Sequence, residues 1–221
     1  MRHIFPSAAA AIVDSLGLTC PCFDIFAGCA GVGQAIELAS SMEGMILIIS
    51  ADNLSRTIDS EEPSHFALRQ FADGAVGIIV SHNAVSGHRI VATNGQTNAS
   101  FHQYYRSVNG VVKRNLPPEV KPLLSAAYLD AWTSITRKLL VKSLDTEQLW
   151  IFCNQGDKKL FEPLIDALDF PDVQLVNTNH GHAGGADPWI GLMADTPPKG
   201  SQAILLSSGI GFHFHGILLE V

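Results

Sequence analysis

Clusters of lysine and arginine are missing from this sequence, and the formal net charge of its 221 residues is −7. That excludes a nucleic-acid-binding surface of the usual kind, which depends on neutralising phosphates. A local basic groove for an acidic cofactor tail is still compatible with it. Also missing are a signal-peptide pattern and any apolar run long enough to span a bilayer, so a cytoplasmic protein is expected, with no membrane partner. Charge of either sign is scarce: 16% of residues are charged, against 47% hydrophobic and 19 glycines. Such a chain is not disordered; it reads as a globular α/β protein with buried strands. There are only four cysteines, Cys20, Cys22, Cys29 and Cys153. They do not form a disulfide framework, and Cys20-Pro21-Cys22 has neither zinc-knuckle spacing nor a second pair to join it. Cys20, Cys22 and Cys153 are expected to pack as small hydrophobes. No low-complexity linker divides the chain.

What is present is an alternation of short apolar runs and amphipathic stretches. Ala8 to Leu16 predicts a helix stopped by Gly17, and Cys22 to Phe26 a short strand. Gly28 to Ser41 predicts a tightly packed helix, with Ala30, Gly31, Gly33, Ala35 and Ala39 on most of its faces. The run Met45 to Ser50 suits a strand covered on both sides. Leu54 to Leu68 is polar and loop-like. Ala75 to Ser81 and His88 to Thr93 predict strands, and 95 to 118 long loops. Pro118 to Leu144 is the longest predicted helix. Leu149 to Cys153, a helix from Lys158 to Leu168, Val173 to Asn177 and a short helix near Gly184 to Met193 follow. Ala203 to Ser207 and Phe212 to Val221 close the chain as a hairpin around Gly209-Ile210-Gly211. Strands and helices mixed at these spacings imply layered α/β packing.

The chemistry concentrates at Phe23-Asp24-Ile25-Phe26-Ala27-Gly28-Cys29-Ala30-Gly31. A cysteine stands there between a strand and a buried helix. A helix N-terminus favours a thiolate, against a free-thiol pKa of roughly 8.5. Gly28 and Gly31 let substrate and backbone approach closely. The plain alternative is an inert buried cysteine.

Four further stretches bear on that choice. Phe5-Pro6-Ser7-Ala8, then the cysteine motif, then Ile48-Ile49-Ser50-Ala51-Asp52-Asn53-Leu54-Ser55-Arg56, then Phe71-Ala72-Asp73-Gly74-Ala75 resemble ketoacyl-ACP synthase III in order and spacing. Ser208-Gly209-Ile210-Gly211 resembles that family's C-terminal glycine loop. The resemblance runs from residue 4 to the C-terminus and is loosest over 95 to 118. It implies a thiolase-like layered α/β/α/β/α fold with Cys29 as the nucleophile, and backbone N–H groups of Cys29 and Ile210 as an oxyanion hole.

Two positions depart from the synthase III pattern. The family's histidine, in a His-Gln-Ala-Asn motif, is here Asn154 of Asn154-Gln155-Gly156-Asp157. The family's asparagine, in a Tyr-Gly-Asn motif, is here His182 of His180-Gly181-His182. Thiolases show the same exchange, with Asn-Glu-Ala-Phe and Gly-His-Pro-x-Gly motifs, and Gly181-His182-Ala183-Gly184-Gly185-Ala186 looks like the latter. The implied catalytic set is Cys29, His182 and Asn154. His182 would serve as base or as imidazolium partner; Asn154 has an NH₂ to donate to a thioester oxygen but cannot move a proton. For His182 the alternative is a satisfied histidine in a glycine-rich loop. For Asn154 it is loss of decarboxylative condensation. His213 and His215 share a strand face. With His180 they would make a conceivable metal site, but no carboxylate or cysteine spacing supports one, so no metal and no cofactor are expected. His65, His82, His88 and His102 are expected to be solvated.

Set beside the resembled family, the chain lacks the opening part of the first half-domain. A fragment, a partner subunit supplying the missing elements and a degenerate homologue all remain open. Residues 1–94 are expected to form the remainder of an N-terminal thiolase-like half with the nucleophile, and 95–221 the C-terminal half. The function implied is an acyltransferase of the ketoacyl-ACP synthase III type, taking an acyl group from acyl-CoA or acyl carrier protein through a Cys29 thioester to a second substrate. The alternative is a non-catalytic partner subunit of an active condensing enzyme. Cys29, His182 and the glycine loop favour an enzyme; Asn154 and the short first half favour the subunit. By resemblance, Cys22 to Phe26 would pair with its copy, giving a homodimer or a heterodimer with a related chain.

Overall fold

A computed structural model of the chain describes residues 7–58, 70–108, 110–143, 148–155, 161–168, 170, 172–176 and 180–221. The motif residues Phe5, Pro6, Gly156 and Asp157, and also His65, lie outside them.

Helix α1 spans Ala8–Ser15, with Ser7 capping Ala10 N–H through its hydroxyl. Gly17 ends it with φ +64. A single turn at Gly28–Ala30 leads into α2, Gly31–Ala39. Strand β1, Met45–Asn53, pairs antiparallel with β2, Asp73–Ser81, in a sheet of two. Then follow β3 (Arg89–Thr97), β4 (Tyr105–Val108), β5 (Val111–Arg114) and the long helix α3 (Val120–Leu140). The remainder is β6 (Gln148–Cys153), α4 (Glu162–Leu168), β7 (Asp172–Val176), α5 (Asp187–Ala194), β8 (Gln202–Gly209) and β9 (His213–Glu220).

The central sheet has the order β3-β9-β8-β6-β7. Strands β7, β6 and β8 run parallel, while β9 is antiparallel to both β8 and β3. Alternation along these strands sends side chains to opposite faces. Leu149, Ile151 and Cys153 of β6, Ile204 and Leu206 of β8, and Phe214 and Leu218 of β9 pack with Trp132, Ile135 and Leu139 of α3 and Leu164 of α4. On the other face Phe152, Ala203, Leu205, Ile217 and Leu219 pack with Val32 and Ile36 of α2, Leu192 of α5 and Ile48 of β1. The layers are therefore α3 and α4, the central sheet, α2 and α5, and then the β1–β2 pair: a mixed, layered α/β fold. Strand β3 runs across residues 94 and 95 and joins the sheet built by the later part of the chain.

Several local expectations need correction. Cys22 to Phe26 is not a strand: residues 21–27 have no ladder, because no strand among the described residues pairs with them. Asp24 ties the segment to α1 by accepting from Ala8 N (3.1 Å) and Ala9 N (2.9 Å). Phe26 stands 90% exposed, and Cys20 and Cys22 are exposed rather than packed. The β1 run is covered on one face only; Met45, Leu47 and Ile49 face outward. Residues 95–118 hold not only loops but the β4–β5 hairpin, with Gly110 at φ +83 between its strands.

Candidate active site

Three backbone features bring the site together. The first is the turn that carries Cys29 at the entrance to α2. The second is the glycine turn between β8 and β9, which lies directly on it: a Cβ on Gly28 would stand 3.0 Å from Ile210 N, and one on Gly209 3.0 Å from Cys29 N. The third is the loop before α5. His182 forms a bridge with Phe71: Ala72 N donates to His182 O (2.8 Å), and His182 N donates to Gln70 O. Gly181, at φ +82, is needed there because a Cβ would sit 2.9 Å from Gln70 O.

Within this frame His182 Nε2 lies 3.2 Å from Cys29 Sγ, across 153 residues of sequence. The opposite ring nitrogen, Nδ1, makes a short hydrogen bond with Asp187 Oδ2. Asp187 is fully buried at the start of α5 and also accepts from Ala183 N (2.6 Å) and Gln155 N (2.9 Å). His180 Nε2 lies 3.4 Å from its Oδ1. Burial alone would depress the His182 pKa, but the hydrogen bonds and charges of Asp187 and Cys29 outweigh it and raise the value to about 10. The imidazolium is therefore the favoured form at neutral pH. Burial raises the Cys153 thiol far above its ordinary value, which fits a packing role on the sheet.

Asn154 stands at the end of β6, buried, and bridges two of the features. Its Nδ2 donates to Gly184 O (3.0 Å), and its Oδ1 accepts from Ser208 N (2.5 Å). Gly185 is in turn held by Asp52, which accepts from Gly185 N (3.0 Å). All the residues of the implied set, Cys29, His182, Asn154 and the Ile210 backbone, thus lie on one connected group of loops. Asp187 was not foreseen. The signal available was an Asp-Pro pair opening a helix five residues after the motif histidine.

His213 and His215 stay apart from this group. His215 is buried on α2, with Nε2 2.7 Å from Glu37 Oε2, and His213 Nδ1 lies 2.9 Å from Thr97 Oγ1. Among the described residues, no three metal-ligating side chains come together. An open groove of about 560 Å³ lies beside α2, lined in part by Gln34, Glu37 and Gln96, and includes neither Cys29 nor His182. Among the described residues no helix is long and apolar enough to cross a membrane.

Comparison with known proteins follows the same lines. The family model described as 3-Oxoacyl-(acyl-carrier-protein) synthase III matches residues 23–99, which include Cys29 but neither Asn154 nor His182. The beta-ketoacyl-(acyl-carrier-protein) synthase III of Psychromonas ingrahamii is 29% identical over 241 residues, covering 100% of this chain and 74% of its own length. A mycobacterial beta-ketoacyl-(acyl-carrier-protein) synthase III from Mycobacterium avium is 38% identical over 88 residues, 37% of this chain and 26% of that protein. Among solved structures, the Aquifex aeolicus synthase III superposes with a TM-score of 0.80 at 21% identity, over 99% of this chain and 73% of that one. OleA of Xanthomonas campestris gives 0.81 at 15% identity, over 100% and 73%. Layers, sheet and motif order define a thiolase-like α/β protein. In sequence and in fold the chain is similar to ketoacyl-ACP synthase III.

Proposed function

We propose that this protein is a cytoplasmic acyltransferase that carries an acyl group as a thioester on Cys29, taken from acyl-CoA or acyl carrier protein. The observation that carries the reading is the 3.2 Å approach of His182 Nε2 to Cys29 Sγ beneath the glycine turn. The His182 imidazolium carries on Nε2 the proton that Cys29 has given up, and the Sγ thiolate attacks the thioester carbonyl carbon. The backbone N–H groups of Cys29 and Ile210 receive the developing oxyanion. The bond from that carbon to the pantetheine sulfur then breaks, and the leaving thiolate takes the proton from His182. A second substrate next attacks the Cys29 thioester and receives the acyl group. Asn154 has no proton to move; it braces the His182 loop against the glycine turn, with the second N–H of its amide available to the thioester oxygen. OleA has been captured with lauric acid and lauroyl-CoA, which makes long-chain acyl-CoAs a sensible first panel. Incubated with acyl-CoAs of graded length, the protein is expected to gain the mass of one acyl group, lost in Cys29→Ala. Intact-mass spectrometry that finds no adduct with any CoA or carrier-protein donor overturns the reading in favour of a non-catalytic partner subunit.

The surface supports a partner in either case. Phe23 and Phe26 project from a segment without a ladder, and Met45, Leu47, Ile49 and Ile79 are exposed on the two-stranded sheet. Apolar side chains and unpaired strand edges of this kind favour association. We propose a homodimer, or a heterodimer with a related chain, in which 22–26 pairs across the interface. Light scattering is expected to give twice the 23.7 kDa chain mass. A well-folded monomer at micromolar concentration speaks against self-association and leaves only the related chain.

A further inference from the structure

We infer that Asp187 is the positioning residue of the Cys29–His182 pair: it receives the Nδ1 proton of His182 and so keeps Nε2 turned to the sulfur. The inference rests on the acyl-transfer reading for its consequence, but its geometry stands without it. Asp187 has no exposed surface. A buried carboxylate is costly unless every lone pair finds a donor. Two backbone donors, Ala183 N and Gln155 N, would suffice for a structural anchor. Yet Oδ2 also meets the imidazole of His182, which touches Cys29, in a short hydrogen bond. A carboxylate on Nδ1 fixes the tautomer, because a neutral imidazole holds one proton only. Once Nε2 has given its proton to the leaving group, Nδ1 keeps the other and Nε2 presents a lone pair to the site; with the neutral ring in the other tautomer, Nε2 would keep its N–H and no base would remain there.

The charged surroundings agree with this placement. The titratable side chains facing Asp187 are His182 and His180, both capable of positive charge. Asp52, near the end of β1, is engaged by Gly185 N and approaches Gly184. Asp187 therefore supplies the negative partner at His182 Nδ1. The result is a cysteine–histidine–aspartate relay assembled from the turn that opens α2, the loop before α5 and the first residue of α5. Asp187 touches no reacting atom; it acts through His182 alone.

The test uses the full chain with ¹⁵N-labelled histidine, His182 being assigned from the resonances lost in His182→Ala. The wild-type protein is expected to show a protonated Nδ1 across neutral pH and a His182 titration near pH 10. In Asp187→Asn that midpoint is expected to fall by about one to three pH units, the range for losing an opposite charge at contact distance. Cys29 acylation should slow by roughly 10²–10⁴-fold, as expected when the orienting carboxylate of such a relay is lost. If wild-type His182 instead titrates near 6.5, the ordinary value, or carries its neutral proton on Nε2, the inference is overturned. That measurement needs no variant and decides the matter even if Asp187→Asn does not fold. A folded Asp187→Asn with an unmoved midpoint and wild-type acylation overturns it equally. Should no donor acylate Cys29 while the titration behaves as expected, the relay stands and the acyl-transfer reading falls.

Discussion

His182→Ala is expected to abolish acyl transfer to Cys29 while leaving the protein folded. Among the side-chain contacts of the described residues, His182 is the group that reaches Cys29 Sγ, at 3.2 Å. Without it no side chain at that contact takes the thiol proton or returns one to the leaving group. General acid–base catalysis by a positioned side chain contributes typically ~10²–10⁴-fold. Here the same group fills both roles, so the upper end is expected. Asn154→Ala makes the informative comparison. It leaves the proton path intact but removes the bonds to Gly184 O and Ser208 N. Acylation should slow by roughly 10²–10³-fold, the cost of losing one oxyanion donor, and melting should also fall because two loops lose a common brace. Stopped-flow acylation with a chromogenic thioester, together with thermal unfolding, reads both. If His182→Ala acylates at the wild-type rate, His182 is not the working base and the partner-subunit reading takes over.

How much of this was legible in the sequence varied with how local the determinants are. Helix α1 was readable because its stop, Gly17, stands in the chain itself. The closing β8–β9 pair was readable for the same reason, two apolar runs around a glycine turn. The strand expected at 22–26 failed because a strand is a relation between two segments, and nothing in the apolar pattern of Phe23, Ile25 and Phe26 says whether a neighbour exists. The covered-on-both-sides reading of Met45 to Ser50 failed likewise: Ile48 is buried against α2, but Leu47 and Ile49 point away from it. Cys29 and His182 stand too far apart in sequence for spacing to join them; the resemblance to known motifs did so. Asp187 had no such help. Its role comes from depth of burial and from the direction of one imidazole, and neither is written in a composition or a period.

The glycine turn gives the second large effect. Gly209 is not required for an unusual backbone angle; it is required for space. A Cβ there would stand 2.3 Å from Ala27 O, 3.0 Å from Cys29 N and 3.1 Å from Ala30 N. These neighbours are backbone atoms at the nucleophile turn, so the clash cannot be relieved by a side-chain rotation. Gly209→Ala must therefore push the turn carrying Ile210 away from Cys29, and Gly209→Val must push it further. Oxyanion donors act only within about 2.7–3.1 Å of the oxygen they serve, so a displacement of even half an ångström removes Ile210 N–H from use. Acylation is expected to drop by roughly 10²–10³-fold in Gly209→Ala, and stability by about 1–3 kcal/mol, the usual cost of overpacking. Gly77→Ala is the matched control: it lies in β2 with no atom within 4 Å of the added methyl, and it should leave rate and melting temperature unchanged. Measured side by side, the two variants separate a crowded turn from a general intolerance of alanine. Wild-type acylation and melting in Gly209→Ala would mean that the β8–β9 turn does not press on the nucleophile, and the oxyanion role of Ile210 would fall with it.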